Sequence, residues 1–106
     1  MFVKYDEYEL LELFLTEGES LSGNVEDGNI KYSRTKSKFS LTMYIRTYEQ
    51  QVSIFLKYKN NDVFYVDLKN ITKIERKDNY LKLCDGGKQL ANIHFGEIFS
   101  INVSEQ

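Results

Sequence analysis

The chain has 106 residues and a net charge of −2, with 42% hydrophobic and 28% charged residues. This length predicts one domain spanning residues 1–106, and the apolar content is too high for a disordered chain. The apolar runs are far shorter than the roughly 20 residues of a membrane span, and no secretory signal opens the chain, so we expect a cytoplasmic protein that makes no membrane contact.

The N-terminal segment combines a helical with an alternating pattern. Phe2, Tyr5 and then Tyr8 or Glu9 lie near helical spacing, which predicts a short amphipathic helix within residues 2–10. The leucines at positions 11, 13 and 15 then alternate with other side chains, which predicts a strand. A turn over residues 17–20 and a second strand over residues 21–25 are expected to follow.

Residues 39–58 have the clearest alternation in the chain. Two sets of four large apolar residues occupy every second position: Phe39, Leu41, Met43 and Ile45, then Val52, Ile54, Leu56 and Tyr58. An antiparallel register with Ile45 opposite Val52 pairs all four, and a slip of one residue would turn the whole set toward water. Residues 47–50 lack the Asn-Gly pattern of a tight hairpin, so we expect a longer loop with Tyr48 exposed.

Further strands are predicted in the second half. Residues 62–68 carry apolar side chains on both faces, which indicates a strand buried between layers or in a barrel wall. A second hairpin is predicted over residues 80–95, with Leu83 opposite Ala91 around a three-residue loop at 86–88, and residues 98–103 form a last strand. The fold class is therefore all-β or β-dominated α+β: a small antiparallel barrel or sandwich of about seven strands, with a short N-terminal helix.

Two segments resemble parts of the Sm-like and SH3-like small barrels. Residues 13–25 have a strand–turn–strand pattern with Gly18 and Gly23 in a Gly-x4-Gly spacing, and residues 66–74 resemble the strand and short turn that end many such barrels. The resemblance implies a small-barrel fold. The Asp and Asn that Sm proteins place after the second strand are not matched, and the Arg-Gly of their second motif is absent, so RNA binding is not implied.

The chemistry-bearing side chains do not combine into a catalytic or metal site. One cysteine and one histidine exclude an intramolecular disulfide and the usual zinc ligand sets. In the predicted hairpin Cys84 lies opposite Leu90, about 13 Å along the strand from His94. We therefore expect a protein that is not an enzyme, with no catalytic residues, no metal and no cofactor.

Charge is strongly segregated along the chain. Residues 1–28 contain eight acidic residues against Lys4, a net charge of −7, whereas residues 29–60 contain seven basic residues against Glu49, a net charge of +6. The two segments could neutralise each other across the fold. Alternatively, one of them steers a partner, and an acidic patch suits a basic groove, including one that normally holds nucleic acid. The pI near 5.4 argues against a dedicated nucleic-acid binder.

Tyrosine is in excess, with eight residues. Tyr58 and Tyr65 lie on predicted apolar faces and are expected in the core, whereas Tyr44 and Tyr48 are candidates for exposure. Exposed tyrosines are enriched in protein interfaces and also serve as stacking platforms for nucleic acids. The predicted binding residues for a protein partner are therefore Glu17, Glu19, Glu26, Asp27, Tyr44 and Tyr48; the alternative set, for a nucleic acid or ligand, is Lys31, Arg34, Lys36 and Lys38.

Small, acidic, proline-free chains rich in tyrosine, asparagine and lysine are similar in type to the inhibitors of phages and toxin loci, namely anti-CRISPR and other anti-defence proteins and immunity proteins. This resemblance implies a stoichiometric inhibitor that covers the working surface of a larger protein, such as its basic groove. The alternative is a small-barrel protein that binds nucleic acid or a ligand through its basic stretch. A homodimer is compatible with either hypothesis.

Overall fold

The computed structural model describes residues 2–104. Within them, α1 (Glu7–Phe14) precedes nine strands. The strands are β1 (Glu19–Ser20), β2 (Asn29–Lys36), β3 (Phe39–Arg46), β4 (Gln51–Tyr58), β5 (Asn61–Leu68), β6 (Lys73–Lys77), β7 (Tyr80–Asp85), β8 (Lys88–Phe95) and β9 (Phe99–Val103). This confirms the β-dominated fold with a short N-terminal helix, although there are nine strands rather than about seven.

The strands form two antiparallel sheets in which each strand pairs with its neighbour in sequence. The first sheet has the order β1-β2-β3-β4-β5 and the second has the order β6-β7-β8-β9. The predicted register of the β3–β4 hairpin is confirmed, with Ile45 opposite Val52 and Phe39 opposite Tyr58. The β7–β8 register of Leu83 opposite Ala91 is confirmed as well.

Both sheets and α1 contribute to one hydrophobic core. Leu10, Leu13 and Phe14 form the buried face of α1. The Phe14 ring lies 5.4 Å from that of Tyr32 on β2 and 5.0 Å from that of Phe95 on β8, measured between centroids. The helix therefore joins the two sheets, and burial of a side chain of this size contributes about 1.5–3 kcal/mol.

The strand predicted at residues 11–15 is wrong, because α1 continues to Phe14. Asp6 caps its N-terminus by accepting a hydrogen bond from the Tyr8 backbone N–H, and Leu15 ends it in the left-handed conformation at φ 62°. The alternation of Leu11, Leu13 and Leu15 is compatible with a helix as well, because Leu10, Leu13 and Phe14 are spaced i, i+3 and i+4 and form one apolar face. Residues 13–25 are consequently not the strand pair of an Sm-like barrel.

The strand predicted at residues 21–25 is also replaced, by a loop held by short-range hydrogen bonds. The Ser22 hydroxyl accepts from the Asn24 backbone N–H at 3.0 Å, and the Asn24 side chain accepts from the Glu26 backbone N–H at 3.1 Å. Ser and Asn side chains compete with sheet pairing in this way. The loop ends in a 3-10 turn, Val25–Asp27, and Gly28 has φ 72°.

Strand β5 lies at an edge of its sheet and is not buried between layers. Within residues 2–104 it pairs with β4 alone, and Val63 and Tyr65 are 55% and 56% exposed. The prediction that Tyr58 and Tyr65 belong to the core is therefore wrong, since Tyr58 is 37% exposed as well.

The β7–β8 turn is one residue shorter than predicted, because Asp85 pairs with Lys88 around Gly86 and Gly87. A register shift after Leu83 then places Cys84 opposite Gln89 instead of Leu90.

In the described part of the chain, no helix is long and apolar enough to cross a membrane.

Candidate protein-binding site

An open cleft of about 750 Å³ lies where the N-terminal segment and α1 face β2 and two loops. We call it the N-terminal cleft. Its lining includes four tyrosines and two glutamates that come from distant parts of the sequence: Tyr5, Tyr8, Tyr32, Tyr48, Glu7 and Glu17. The cleft thus combines aromatic surface, which is enriched in protein interfaces, with two carboxylates and Lys4.

Two glycines allow the walls of the cleft to approach each other. A Cβ atom on Gly18 would lie 2.6 Å from Cγ2 of Ile30 and 2.7 Å from Cζ of Tyr32. A Cβ atom on Gly28 would lie 2.8 Å from Cβ of Thr47 and 3.0 Å from the ring of Tyr48. Any larger residue at these positions must displace the tyrosine that it faces.

The tyrosines differ in how they take part in the cleft. Tyr8 and Tyr48 are 76% and 63% exposed, so their rings stand at the rim. Tyr32 is only 3% exposed, and burial, with Tyr5, Glu7 and Glu17 nearby, raises the pKa of its phenol. Burial also raises the pKa of Tyr5, a shift opposed by a hydrogen bond with Thr47.

The predicted acidic and aromatic residues are divided between two surfaces. Glu17 and Tyr48 line the cleft, and Val25, next to Glu26 and Asp27, lines it too. Asp27 is engaged within its own loop, since hydrogen bonds from the Ser22 hydroxyl and the Asn29 backbone N–H lower its pKa. The exposed glutamates at 17 and 26 are free to meet a partner without breaking such bonds.

Tyr44 and Glu19 belong to the other surface, the outer face of the first sheet. Lys31 pairs with Glu19 on one side and with Tyr44 on the other, so the three side chains share a face. Tyr44 is half-buried, and its ring packs edge-on against that of Phe55 with centroids 5.4 Å apart. Phe55 in turn packs against Tyr65 at 4.5 Å, which gives an aromatic row across β3, β4 and β5.

The alternative basic residues do not form one free surface. Arg34 Nη1 donates a hydrogen bond to the Leu13 carbonyl oxygen at 2.8 Å, and Lys36 Nζ donates to that of Gly96 at 2.7 Å. Both side chains therefore support the fold, one at the end of α1 and one at the β8–β9 turn. Lys31 lies on the outer sheet face, and Lys38 lies in the β2–β3 turn.

Acidic residues 1–28 and basic residues 29–60 are not joined by contact ion pairs within the described residues. The ion pairs there are Lys57–Asp62, Lys73–Glu75 and Arg76–Glu12, and none links the two segments. Neutralisation of the two segments across the fold therefore does not occur through contact ion pairs among these residues, and Glu7 and Glu17 are in none of these pairs.

Cys84 and His94 lie on neighbouring strands without facing each other. His94 is opposite Tyr80, on whose ring it stacks at 4.7 Å, and Cys84 is opposite Gln89. Five residues of strand separate the two positions, a distance of about 16 Å. Burial raises the pKa of the Cys84 thiol, which disfavours the thiolate. Among residues 2–104, no three His, Cys, Asp or Glu residues are grouped as metal ligands.

Sequence reasoning missed much of the cleft. The sequence pattern predicts Tyr5, Tyr8 and Glu7 only as parts of a helix and indicates no role for Tyr32. The spacing of Tyr5 and Tyr8 beside a run of acidic residues is a signal for the first wall of the cleft, but Tyr32 comes from a strand 24 residues after Tyr8. Only the docking of α1 on β2 brings them together.

Comparisons with known proteins add a likeness of fold. No family model matches the chain, and no curated protein matches it. A solved structure, the contact-dependent growth inhibition toxin–immunity protein complex from Klebsiella pneumoniae 342, contains a chain that is similar with a TM-score of 0.75 and 16% identity. The match covers 98% of this chain and 98% of that chain, so the whole architecture is shared.

Proposed function

We propose that this protein is a non-enzymatic, stoichiometric inhibitor of the immunity type, which binds a larger toxin and blocks it. The observation that carries the proposal is the fold match over 98% of both chains to a chain of a toxin–immunity protein complex. It favours the toxin-locus alternative over the anti-CRISPR one, for which the comparison offers no support. Whole-length similarity also means that no additional segment of either chain is needed to explain the match.

The role of inhibitor, rather than that of toxin, is supported by the side chains. A toxin that acts as an enzyme needs an activated nucleophile or general base. In the described part of the chain, Cys84 and His94 lie on well-separated positions of the second sheet. We expect Cys84→Ser and His94→Ala, together, to leave inhibition intact in a growth assay, and a loss in a still-folded double variant would contradict the proposal.

The N-terminal cleft is the surface that we assign to the toxin. Its exposed Tyr8 and Tyr48 offer large aromatic area at low entropic cost, and its carboxylates attract a basic groove. The exposed acidic residues are expected to act mainly on the association rate, whereas a tyrosine that becomes buried in the complex, such as Tyr48, acts on the dissociation rate. Binding there would cover the toxin surface that must otherwise contact its target.

A growth-protection experiment tests the function directly. Each protein encoded next to this gene is expressed in bacteria with and without this protein, and we expect one of them to stop growth and this protein to restore it. The two proteins should also co-purify at one-to-one stoichiometry after nuclease treatment. If the toxin is neither bound nor neutralised, or if binding disappears with the nuclease, the proposal is wrong and the nucleic-acid alternative is favoured.

Two sets of charge changes then locate the interface. The acidic set reverses Glu17, Glu19, Glu26 and Asp27 to lysine, and the basic set changes Lys31, Arg34, Lys36 and Lys38 to neutral residues. Measured by surface plasmon resonance at two salt concentrations, the acidic set should slow association steeply. Reversal of Glu17 and Glu26 alone, which leaves the hydrogen bonds of Asp27 in place, should also slow association, with unchanged circular dichroism. Tyr48→Ala should instead accelerate dissociation, with a cost of about 1–3 kcal/mol. If only the basic set abolishes binding, and neutralising Lys31 and Lys38 alone reproduces the loss while leaving the hydrogen bonds of Arg34 and Lys36 in place, the interface lies on the basic stretch.

A further inference from the structure

The hydroxyl of Tyr32 lies at the floor of the N-terminal cleft, and it makes no hydrogen bond within residues 2–104. The side chain is 97% enclosed, since the residue is 3% exposed. The influences that raise its pKa are burial and the charges of its neighbours, and no hydrogen bond from the described residues is among them. Enclosed polar groups in folded proteins almost always have a partner.

This hydroxyl reaches the open space of the cleft. Among residues 2–104, every completely enclosed side-chain nitrogen or oxygen has a hydrogen-bond partner. Tyr32 lines the cleft, and its Oη has no partner among these residues, so this oxygen is not completely enclosed and retains some contact with solvent. The Tyr32 hydroxyl can therefore donate or accept a hydrogen bond with a group that enters the cleft.

Two carboxylates stand over the same point. Glu7 and Glu17 line the cleft and are close enough to the Tyr32 phenol to disfavour its ionisation. Within the described residues neither takes part in an ion pair, and Lys4, a basic residue of the lining, takes part in none either. The cleft thus offers one phenol oxygen at its floor and two exposed carboxylates nearer its rim, against the single positive charge of Lys4.

The walls of the cleft are aromatic. Tyr8 and Tyr48 are largely exposed at the rim, and Tyr5 is half-buried below them. Tyrosine faces attract cations, and they stack on the planar guanidinium group in particular. Arginine also carries five N–H donors in a fixed fork, which suits two carboxylates and a phenol oxygen better than the single point charge of lysine does.

We propose that the N-terminal cleft receives an arginine side chain of the toxin, with Glu7 and Glu17 as its counter-charges and Tyr32 Oη as a hydrogen-bond acceptor. This inference rests on the proposed function and names the partner chemistry of the same surface. The guanidinium stacks between the rim tyrosines and enters with its N–H groups directed at the floor. An arginine at the centre of an interface is a frequent hot spot.

The isolated protein and a small probe test the proposal. N-acetyl-arginine-N-methylamide is titrated into ¹⁵N-labelled protein, and the neutral citrulline analogue of the same shape is the control ligand. Gly18 and Gly28 line the cleft and report binding through their amide signals, while Gly86 and Gly87 in the β7–β8 turn are internal references. We expect saturable shifts at Gly18 and Gly28 with the arginine probe alone, with a dissociation constant on the order of millimolar.

Variants separate the contributions of the floor. Glu17→Gln should weaken the probe about tenfold, and Tyr32→Phe, which removes only the oxygen, should weaken it several-fold. Glu97→Gln is the matched control, because Glu97 is exposed in the β8–β9 turn and does not line the cleft. It should leave binding unchanged.

The proposal is overturned if the arginine and citrulline probes shift Gly18 and Gly28 equally, if neither does, or if Glu97→Gln is as damaging as Glu17→Gln. Those results would leave the inhibitor function standing wherever growth protection is observed. Conversely, arginine-specific binding without growth protection would uphold the cleft as a guanidinium site and refute the inhibitor function.

Discussion

Replacing Arg34 with methionine removes a hydrogen bond that ties the end of α1 to the first sheet. Arg34 lies on β2 and donates to the Leu13 carbonyl oxygen at 2.8 Å. The last carbonyl groups of a helix have no hydrogen-bond partner within the helix, and a positive charge near them interacts favourably with the helix dipole. Methionine keeps an unbranched apolar stem, so the packing of the side chain changes little.

The expected loss of stability is about 1–3 kcal/mol. A hydrogen bond to a charged donor contributes about 1.5–3 kcal/mol, and the helix-end charge adds about 0.3–1 kcal/mol. Partial exposure of Arg34 reduces both. For a domain of this size each kcal/mol lowers the melting temperature by about 4–8 °C, so a loss of 2 kcal/mol corresponds to about 8–16 °C.

Lys31→Met is the matched control for this experiment. It removes the same charge from the same strand, but Lys31 lies on the outer sheet face, and we expect a change within about 0.5 kcal/mol. Urea unfolding followed by circular dichroism measures both variants. Equal stability of the two would refute the structural role of Arg34, and equal weakening of nucleic-acid binding by both would revive the alternative function.

Two further perturbations follow from the first sheet. Met43→Asp places a charge at a position that is 0% exposed and should unfold the protein or destabilise it by several kcal/mol. Thr42→Asp, on the opposite face of β3, should have a mild effect. Equal losses of stability in thermal melts would mean that both faces of the sheet are covered. The hydrogen bond from Ser53 lowers the pKa of Asp67, so its stabilisation is full above the unfolded pKa of about 4 and is lost as pH falls through the folded pKa. Ser53→Ala should therefore flatten the acid limb of stability measured by urea unfolding, and an unchanged limb would contradict this assignment.

The hairpins could be predicted from the sequence because only one register satisfies their apolar residues. Four pairs between β3 and β4 lose their burial together when the strands slip by one position. The N-terminal segment had no such constraint. Leu11, Leu13 and Leu15 fit an alternating pattern, but Leu10 and Phe14 complete a helical face, and the Asp6 cap decides between the two.

The alternation of apolar and polar residues does not predict whether a strand lies at the edge or in the centre of a sheet. Val63 and Tyr65 are residue types that favour buried positions. Both nevertheless lie on an edge strand, and no second layer among the described residues covers its outer face. Alternation reports how a strand is divided between two faces and not what covers each face. The same limit explains why the cleft was not predicted, since Tyr5, Tyr32 and Tyr48 meet only through tertiary packing.

The charge segregation takes on a definite meaning once the contacts are known. Opposite charges that paired across the fold would cancel at a distance and steer nothing. Within the described residues, the one contact ion pair of the acidic segment joins Glu12 to Arg76 on β6, outside the basic segment. The N-terminal cleft has two glutamates against one lysine in its lining, and in physiological solution such exposed charges act over about 8–10 Å. A basic partner is attracted over that distance before any tyrosine is touched, so salt should slow its association more than it speeds its release.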